Sequence, residues 1–154
     1  IGKRVADLAK AFGCHVIYYS TSGNHTEDGY DRVDFDTLLA TSDIVSVHAP
    51  LNEQTDHLMN AAAFEKMKNS AIFINVGRGP IVVEEDLADA LEQGVIAAAG
   101  LDVLSQEPMR EDSPLRRIKD SEKLVITPHI AWAAVETRKR LMDIILHQIE
   151  EFFA

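Results

Sequence analysis

Three mostly apolar runs, residues 71–76, 95–103 and 124–127, set the strongest limit on what this chain can fold into. Each reads as a buried strand, and amphipathic helical patterns separate them, which is the alternation of a doubly wound α/β fold with a parallel sheet. Each run also gives way to a turn that carries one ionisable side chain. Asn75-Val76-Gly77-Arg78-Gly79 follows the first, Asp102 to Glu107-Pro108 the second, and Thr127-Pro128-His129-Ile130-Ala131-Trp132 the third. In an open parallel sheet such strand ends line the crevice where ligands bind. Arg78, Glu107 and His129 are therefore expected to meet at one cleft from distant points of the sequence.

The remaining elements follow from the same patterns. Val5, Leu8, Ala9 and Phe12 form one apolar helical face, ended by Gly13. Residues 15–19 read as a strand, the polar stretch 20–29 as a loop, 35–40 as a short helix, and 43–48 as a strand leading to Pro50. Helices are expected over 60–67 and 84–93. The second has acidic residues in its first turn and Gly94 just past its end, but Val83 offers no capping side chain. From about residue 133 a long helix presents Leu141, Ile145, Ile149 and Phe152 as one apolar stripe.

Composition narrows the function without choosing it. The formal charge of −10, from 15 basic and 25 acidic residues, argues against a nucleic-acid partner, which needs a basic face. No segment approaches the roughly 18–20 apolar residues that span a bilayer, and no secretory signal is visible. Cys14 is the single cysteine, expected to be buried and inert, and points to a reducing cytoplasm. His25, His57 and His147 lack partners at ligand spacing, so no metal site is expected. Arginine offers a two-pronged donor for a carboxylate, and histidine carries protons near neutral pH. A glutamate beside that histidine favours its charged form. Together they suit redox chemistry at a carbon next to a carboxylate.

These segments resemble the signatures of the D-isomer-specific 2-hydroxyacid dehydrogenases, over essentially the whole chain and within their nucleotide-binding domain. His129-Ile130-Ala131-Trp132-Ala133, with the stretch from Glu107-Pro108 to Asp112-Ser113-Pro114-Leu115, resembles most the branch that acts on glycerate and hydroxypyruvate. The resemblance implies a Rossmann dinucleotide-binding domain over 1–154, with 133–154 returning toward a substrate domain. Gly2, after Ile1, matches the third glycine of the G-x-G-x-x-G turn, which permits close helix–strand packing. The first strand and first two glycines are missing, so the chain is expected to be an excerpt of a longer two-domain protein, inactive by itself. That strand is expected between the strand at 15–19 and the one ending at Val76, and its loss exposes inner sheet edges.

The resemblance also assigns roles. Ser20 stands where NAD-preferring relatives carry an acid for the ribose hydroxyls, with no acid until Glu27 and no closer cation than Arg32; NAD is favoured and NADP stays open. Ser20 could equally be a plain turn residue. His48, Ala49 and Pro50 match the loop beside ribose and nicotinamide, with Thr55 a weaker match, and Ile1, Gly2, Val76, Gly77, Arg78, His129, Ala131 and Trp132 also fall at cofactor positions. Asp102 matches the acid that holds the nicotinamide carboxamide. Trp132 either walls the pocket or packs the start of the last helix. The implied reaction is hydride exchange between nicotinamide and C2 of a small 2-hydroxy or 2-oxo acid, with glycerate/hydroxypyruvate or glyoxylate as substrate. In it Arg78 clamps the carboxylate, His129 moves the proton, and Glu107 orients His129. A homodimer is expected. The alternative is a catalytically silent, NAD(H)-sensing interaction protein of the same fold. A Tyr-x-x-x-Lys reductase does not fit, because Tyr18, Tyr19 and Tyr30 have no lysine four positions later.

Overall fold

Alternation along four short strands sorts one face of a sheet into the core. The computed structural model describes residues 1–23, 26 and 29–153. Strands β3 (Ile44–Val47), β4 (Ile72–Asn75), β5 (Ala98–Leu101) and β6 (Leu124–Ile126) pair in that order, all parallel. Val45 and Val47, Phe73 and Asn75, and Ala99 and Leu101 point to the buried side, as a period of two requires. Helices α3 (Ala61–Phe64) and α4 (Glu84–Glu92) cover that side through Phe64, Leu87, Ala88 and Leu91. The rings of Phe64 and Phe73 meet edge to face, with centroids 5.5 Å apart. On the opposite side Ile44, Ile72 and Val125 stay exposed.

Two further strands, β1 (Ile17–Tyr18) and β2 (Asp31–Arg32), form a separate parallel pair. Sequence patterning finds β1 but reads past β2, whose two residues are both charged and exposed. One expectation about topology is overturned. β4 is flanked by β3 and β5, so the strand ending before Val76 has no open side; among the described residues the edges of the four-stranded sheet are β3 and β6.

Helix boundaries follow local chemistry. Asp34 caps α2 (Phe35–Thr41) by accepting the Thr37 N–H at 2.8 Å, and Asn60 caps α3 through the Ala63 N–H at 3.2 Å. Val83 provides no cap to α4, as expected, and that helix ends just before Gly94. Helix α3 is a single turn rather than the eight residues expected, and β5 begins three residues later than residue 95, because the Val95 N–H instead bonds back to Ala90 O at 2.8 Å.

Helix α1 (Gly2–Ala11) and helix α5 (Val135–Phe153) form as patterned, yet neither buries a residue. Phe12 is 88% exposed, and Leu141, Ile145, Ile149 and Phe152 lie open along α5. Cys14 is exposed as well, which corrects the expectation of burial: it sits between α1 and β1, where no core forms around it. His25 and Glu27 lie outside the described residues. No helix among the described residues is long and apolar enough to cross a membrane.

Candidate active site

Register brings the functional turns together. Val47 pairs with Asn75, Asn75 with Leu101, and Leu101 with Ile126, so one row crosses the carboxyl ends of all four strands. The chain leaves this row at His48, Val76, Asp102 and Thr127. The turns bearing Arg78, Asp102 and His129 therefore start side by side, as a parallel sheet dictates.

The first turn is built by a buried amide. Asn75 is fully buried; its Oδ1 accepts the Gly77 N–H at 3.0 Å and its Nδ2 donates to Arg78 O at 2.9 Å. Arg78 leaves this turn exposed, its Nη1 donating only to Gly77 O at 2.8 Å, and it has no carboxylate partner among the described residues. Gly79, next in sequence, lies against the Glu107 segment: a Cβ there would sit 1.9 Å from the carbonyl carbon and oxygen of Leu104. Sequence reading named neither Asn75 nor Gly79 as functional. The available signals were a carboxamide inside an apolar run and a glycine on both sides of one arginine.

Asp102 organises the second and third turns. It is buried; Oδ1 accepts the Thr127 hydroxyl at 2.5 Å and the Ile130 N–H at 2.9 Å, while Oδ2 accepts the Ala131 N–H at 2.8 Å. Burial alone would raise its pKa, but these three donors and the nearby His129 hold it below the usual aspartate value. His129 adopts φ 54°, a left-handed conformation uncommon outside glycine, and persists in it because the bonds to Asp102 fix the next two residues. Its Nδ1 meets Glu107 Oε2 at 2.7 Å, and Glu107 Oε1 accepts the Leu104 N–H at 3.0 Å. The His129 ring bond, then the Leu104 N–H, lower the Glu107 pKa. Both side chains of this pair are partly open to solvent, so the imidazole is within reach of a ligand in the crevice.

The signs of these shifts give an acid limit. A depressed carboxylate stabilises the fold fully above its ordinary pKa and ceases to do so as pH falls through the lower folded value. For Asp102 the ordinary value is 3.8. Trp132, the single tryptophan of the sequence, follows Ala131 directly and reports on the loop. Its fluorescence is expected to stay constant from neutral pH down to that value and to change only below it; a transition between pH 5 and 6 would contradict the assignment.

The cofactor positions divide into three groups. Gly2, at the start of α1, packs on His48, whose Cβ would lie 3.2 Å from an added Cβ, so the close approach expected of that glycine is present. Burial holds the His48 pKa below the usual histidine value, and its Nε2 pairs with Ser46 Oγ at 3.0 Å. Ala49 is half-buried, and Pro50, Ile1 and Trp132 are exposed around these strand ends. Ser20 follows β1 but is only 7% exposed, with its Oγ 3.4 Å from Ser22 Oγ. Thr55 is fully buried, and its hydroxyl donates to Pro50 O at 2.6 Å and accepts the Asn52 N–H at 2.9 Å, so it braces the loop that carries Pro50.

A carboxylate offers about four acceptor sites. Three donors occupy Asp102, leaving one on Oδ2 that an amide N–H of a nicotinamide could fill. The residues present thus fit the cofactor's carboxamide.

Comparisons with known proteins show the family. Residues 1–131 match the family model described as D-isomer specific 2-hydroxyacid dehydrogenase, NAD binding domain. A hydroxypyruvate reductase of Blautia hydrogenotrophica is 44% identical over 154 residues, 99% of this chain and 47% of that protein. An acyclic imino acid reductase (Bsp5), solved in complex with NADPH and D-Arg, superposes with a TM-score of 0.89 at 33% identity, over 99% of this chain and 48% of its own. The NAD-complexed form of a D-isomer specific 2-hydroxyacid dehydrogenase from Lactobacillus delbrueckii ssp. bulgaricus gives 0.86 at 31%, over 96% of this chain and 48% of its own. The chain spans about half the length of the curated relatives it matches. On sequence and architecture together, this chain belongs to the D-isomer specific 2-hydroxyacid dehydrogenase family and corresponds to its NAD-binding domain.

Proposed function

We propose that the full-length protein reduces hydroxypyruvate or glyoxylate, and oxidises the corresponding 2-hydroxy acid, with a nicotinamide dinucleotide. The observation that carries this reading is the 2.7 Å His129–Glu107 pair, on turns that follow the strands next to the one leading to Arg78, an exposed guanidinium with no carboxylate partner among the described residues. The bound dinucleotide supplies or accepts the hydride. Asp102 and the loop of His48, Ala49 and Pro50 hold its nicotinamide end. Arg78 binds the substrate carboxylate with two parallel N–H donors and draws electron density from the C2 oxygen. His129 gives its Nε2 proton to that oxygen during reduction and takes the hydroxyl proton during oxidation. Glu107, bonded to Nδ1, keeps the ring turned with Nε2 outward. We read 1–154 as the dinucleotide domain of a two-domain protein, 133–154 as the helix returning toward the substrate domain, and the working state as a homodimer.

A carboxylate clamp makes a simple demand on substrate. Hydroxypyruvate should turn over, whereas dihydroxyacetone, with CH2OH in place of the carboxylate, should lose at least about 100-fold in kcat/KM, because Arg78 then meets no anion. Equal rates on both would refute the role of Arg78.

Cofactor choice follows from Ser20. With no carboxylate there to repel a 2′-phosphate, NADH and NADPH should be separated less sharply than by relatives carrying an acid at that position. Ser20→Asp should raise KM for NADPH at least about tenfold and leave NADH usable. Unchanged NADPH kinetics would move the ribose site away from Ser20.

A further inference from the structure

We propose that Asn75 is the positioning residue for Arg78, its buried carboxamide setting the turn from which the guanidinium reaches the substrate carboxylate. This rests on the reading of Arg78 as the carboxylate clamp. Asn75 is fully buried among Phe73, Ala99 and Leu101, on the face of the sheet where every neighbour in the row is apolar. An apolar side chain would pack there without needing partners, so the amide must be satisfied by what it bonds. Both of its bonds go to the main chain at the two ends of the Gly77–Arg78 dipeptide: the Gly77 N–H donates to Oδ1 at 3.0 Å, and Nδ2 donates to Arg78 O at 2.9 Å. They fix Arg78 at φ −146°, ψ 143°, and so fix where its side chain leaves the backbone. The main-chain oxygen of Asn75 also accepts the Asp102 N–H at 3.0 Å, and Asp102 holds the turn of His129. One buried residue thereby joins the anion-binding and proton-transferring turns.

The test uses oxamate, which mimics a 2-oxo acid but accepts no hydride, binding to the full-length protein with NADH bound. Asn75→Ala should weaken oxamate about tenfold, as expected for losing neutral hydrogen bonds that hold its ligand, a larger loss than any in NADH affinity. Asn75→Asp keeps the shape and is the sharper probe. Its carboxylate repels Arg78 O, whereas its protonated form can donate to that oxygen and still accept from Gly77 N–H. Its deficit relative to the unsubstituted protein should therefore shrink as pH falls, while that of Asn75→Ala stays level. A purely structural role would lower the melting temperature of both variants without this pH-dependent recovery. Should Asn75→Ala fail to fold, Asn75→Asp decides alone. Arg78→Lys is measured in parallel. If it weakens oxamate and the Asn75 variants do not, the positioning role is wrong and the clamp stands. If Arg78→Lys binds oxamate normally, the clamp and the inference built on it both fall.

Discussion

Replacing His129 by glutamine in the full-length protein should lower turnover of hydroxypyruvate by at least about 100-fold, the low end of what a positioned acid–base group contributes. Glutamine preserves a polar side chain that can still bond Glu107, but it has no titrating proton to deliver at the C2 oxygen. NADH affinity should change little, because the loop itself is held by Asp102 through the Thr127 hydroxyl and the Ile130 and Ala131 N–H groups, none of which involves the imidazole. The pair of measurements separates chemistry from loop integrity. Turnover close to the unsubstituted level would remove His129 from the reaction.

Gly79→Ala should have an effect of similar size by a different route. A methyl group at Gly79 would lie 1.9 Å from Leu104 carbonyl atoms and 2.3 Å from Ser105 N. Main chain cannot swing aside as a flexible side chain can, so the segment must move. Overpacking of this kind costs about 1–3 kcal/mol, occasionally more. The segment also leads to Glu107, whose Oε1 takes the Leu104 N–H and whose Oε2 holds the imidazole of His129. Ser105 is tied in turn to Glu84 Oε1 at 2.7 Å, at the start of α4, which limits where the strain can go. A misplacement of about 1 Å at a reacting group can cost about 100-fold in rate, and that loss is the expected one. Thermal melting and turnover on the same preparation would check it; a variant with unaltered stability and rate would mean that the 104–107 segment does not depend on Gly79.

Much of this site is legible in the sequence, and the reason is periodicity. Runs ending at Val76, Val103 and Thr127 announce strands, and parallel strands put their following turns on one edge, so Arg78, Glu107 and His129 could be grouped from sequence. Pairing was less legible. A two-residue strand such as Asp31–Arg32 has no pattern to detect, and only the hydrogen-bonded register shows that β4 is an inner strand, between β3 and β5. Side-chain direction was least legible of all. Nothing in the spacing of Thr55 reveals that its hydroxyl turns inward to Pro50 O, or that Cys14 stays outside the core. The same holds for Asp102, expected only as a cofactor contact, whose carboxylate also locks the left-handed turn at His129.

Hydride exchange at C2 of a small 2-oxo acid is the reaction we propose for these turns. It is tested most directly by incubating the full-length protein with NADH and hydroxypyruvate and resolving the product on a chiral column. D-glycerate is the expected product, one molecule formed for each NADH consumed. NADH that binds in calorimetry yet stays unconsumed with hydroxypyruvate and glyoxylate alike would contradict it, and would favour a nucleotide-sensing protein built on the same fold.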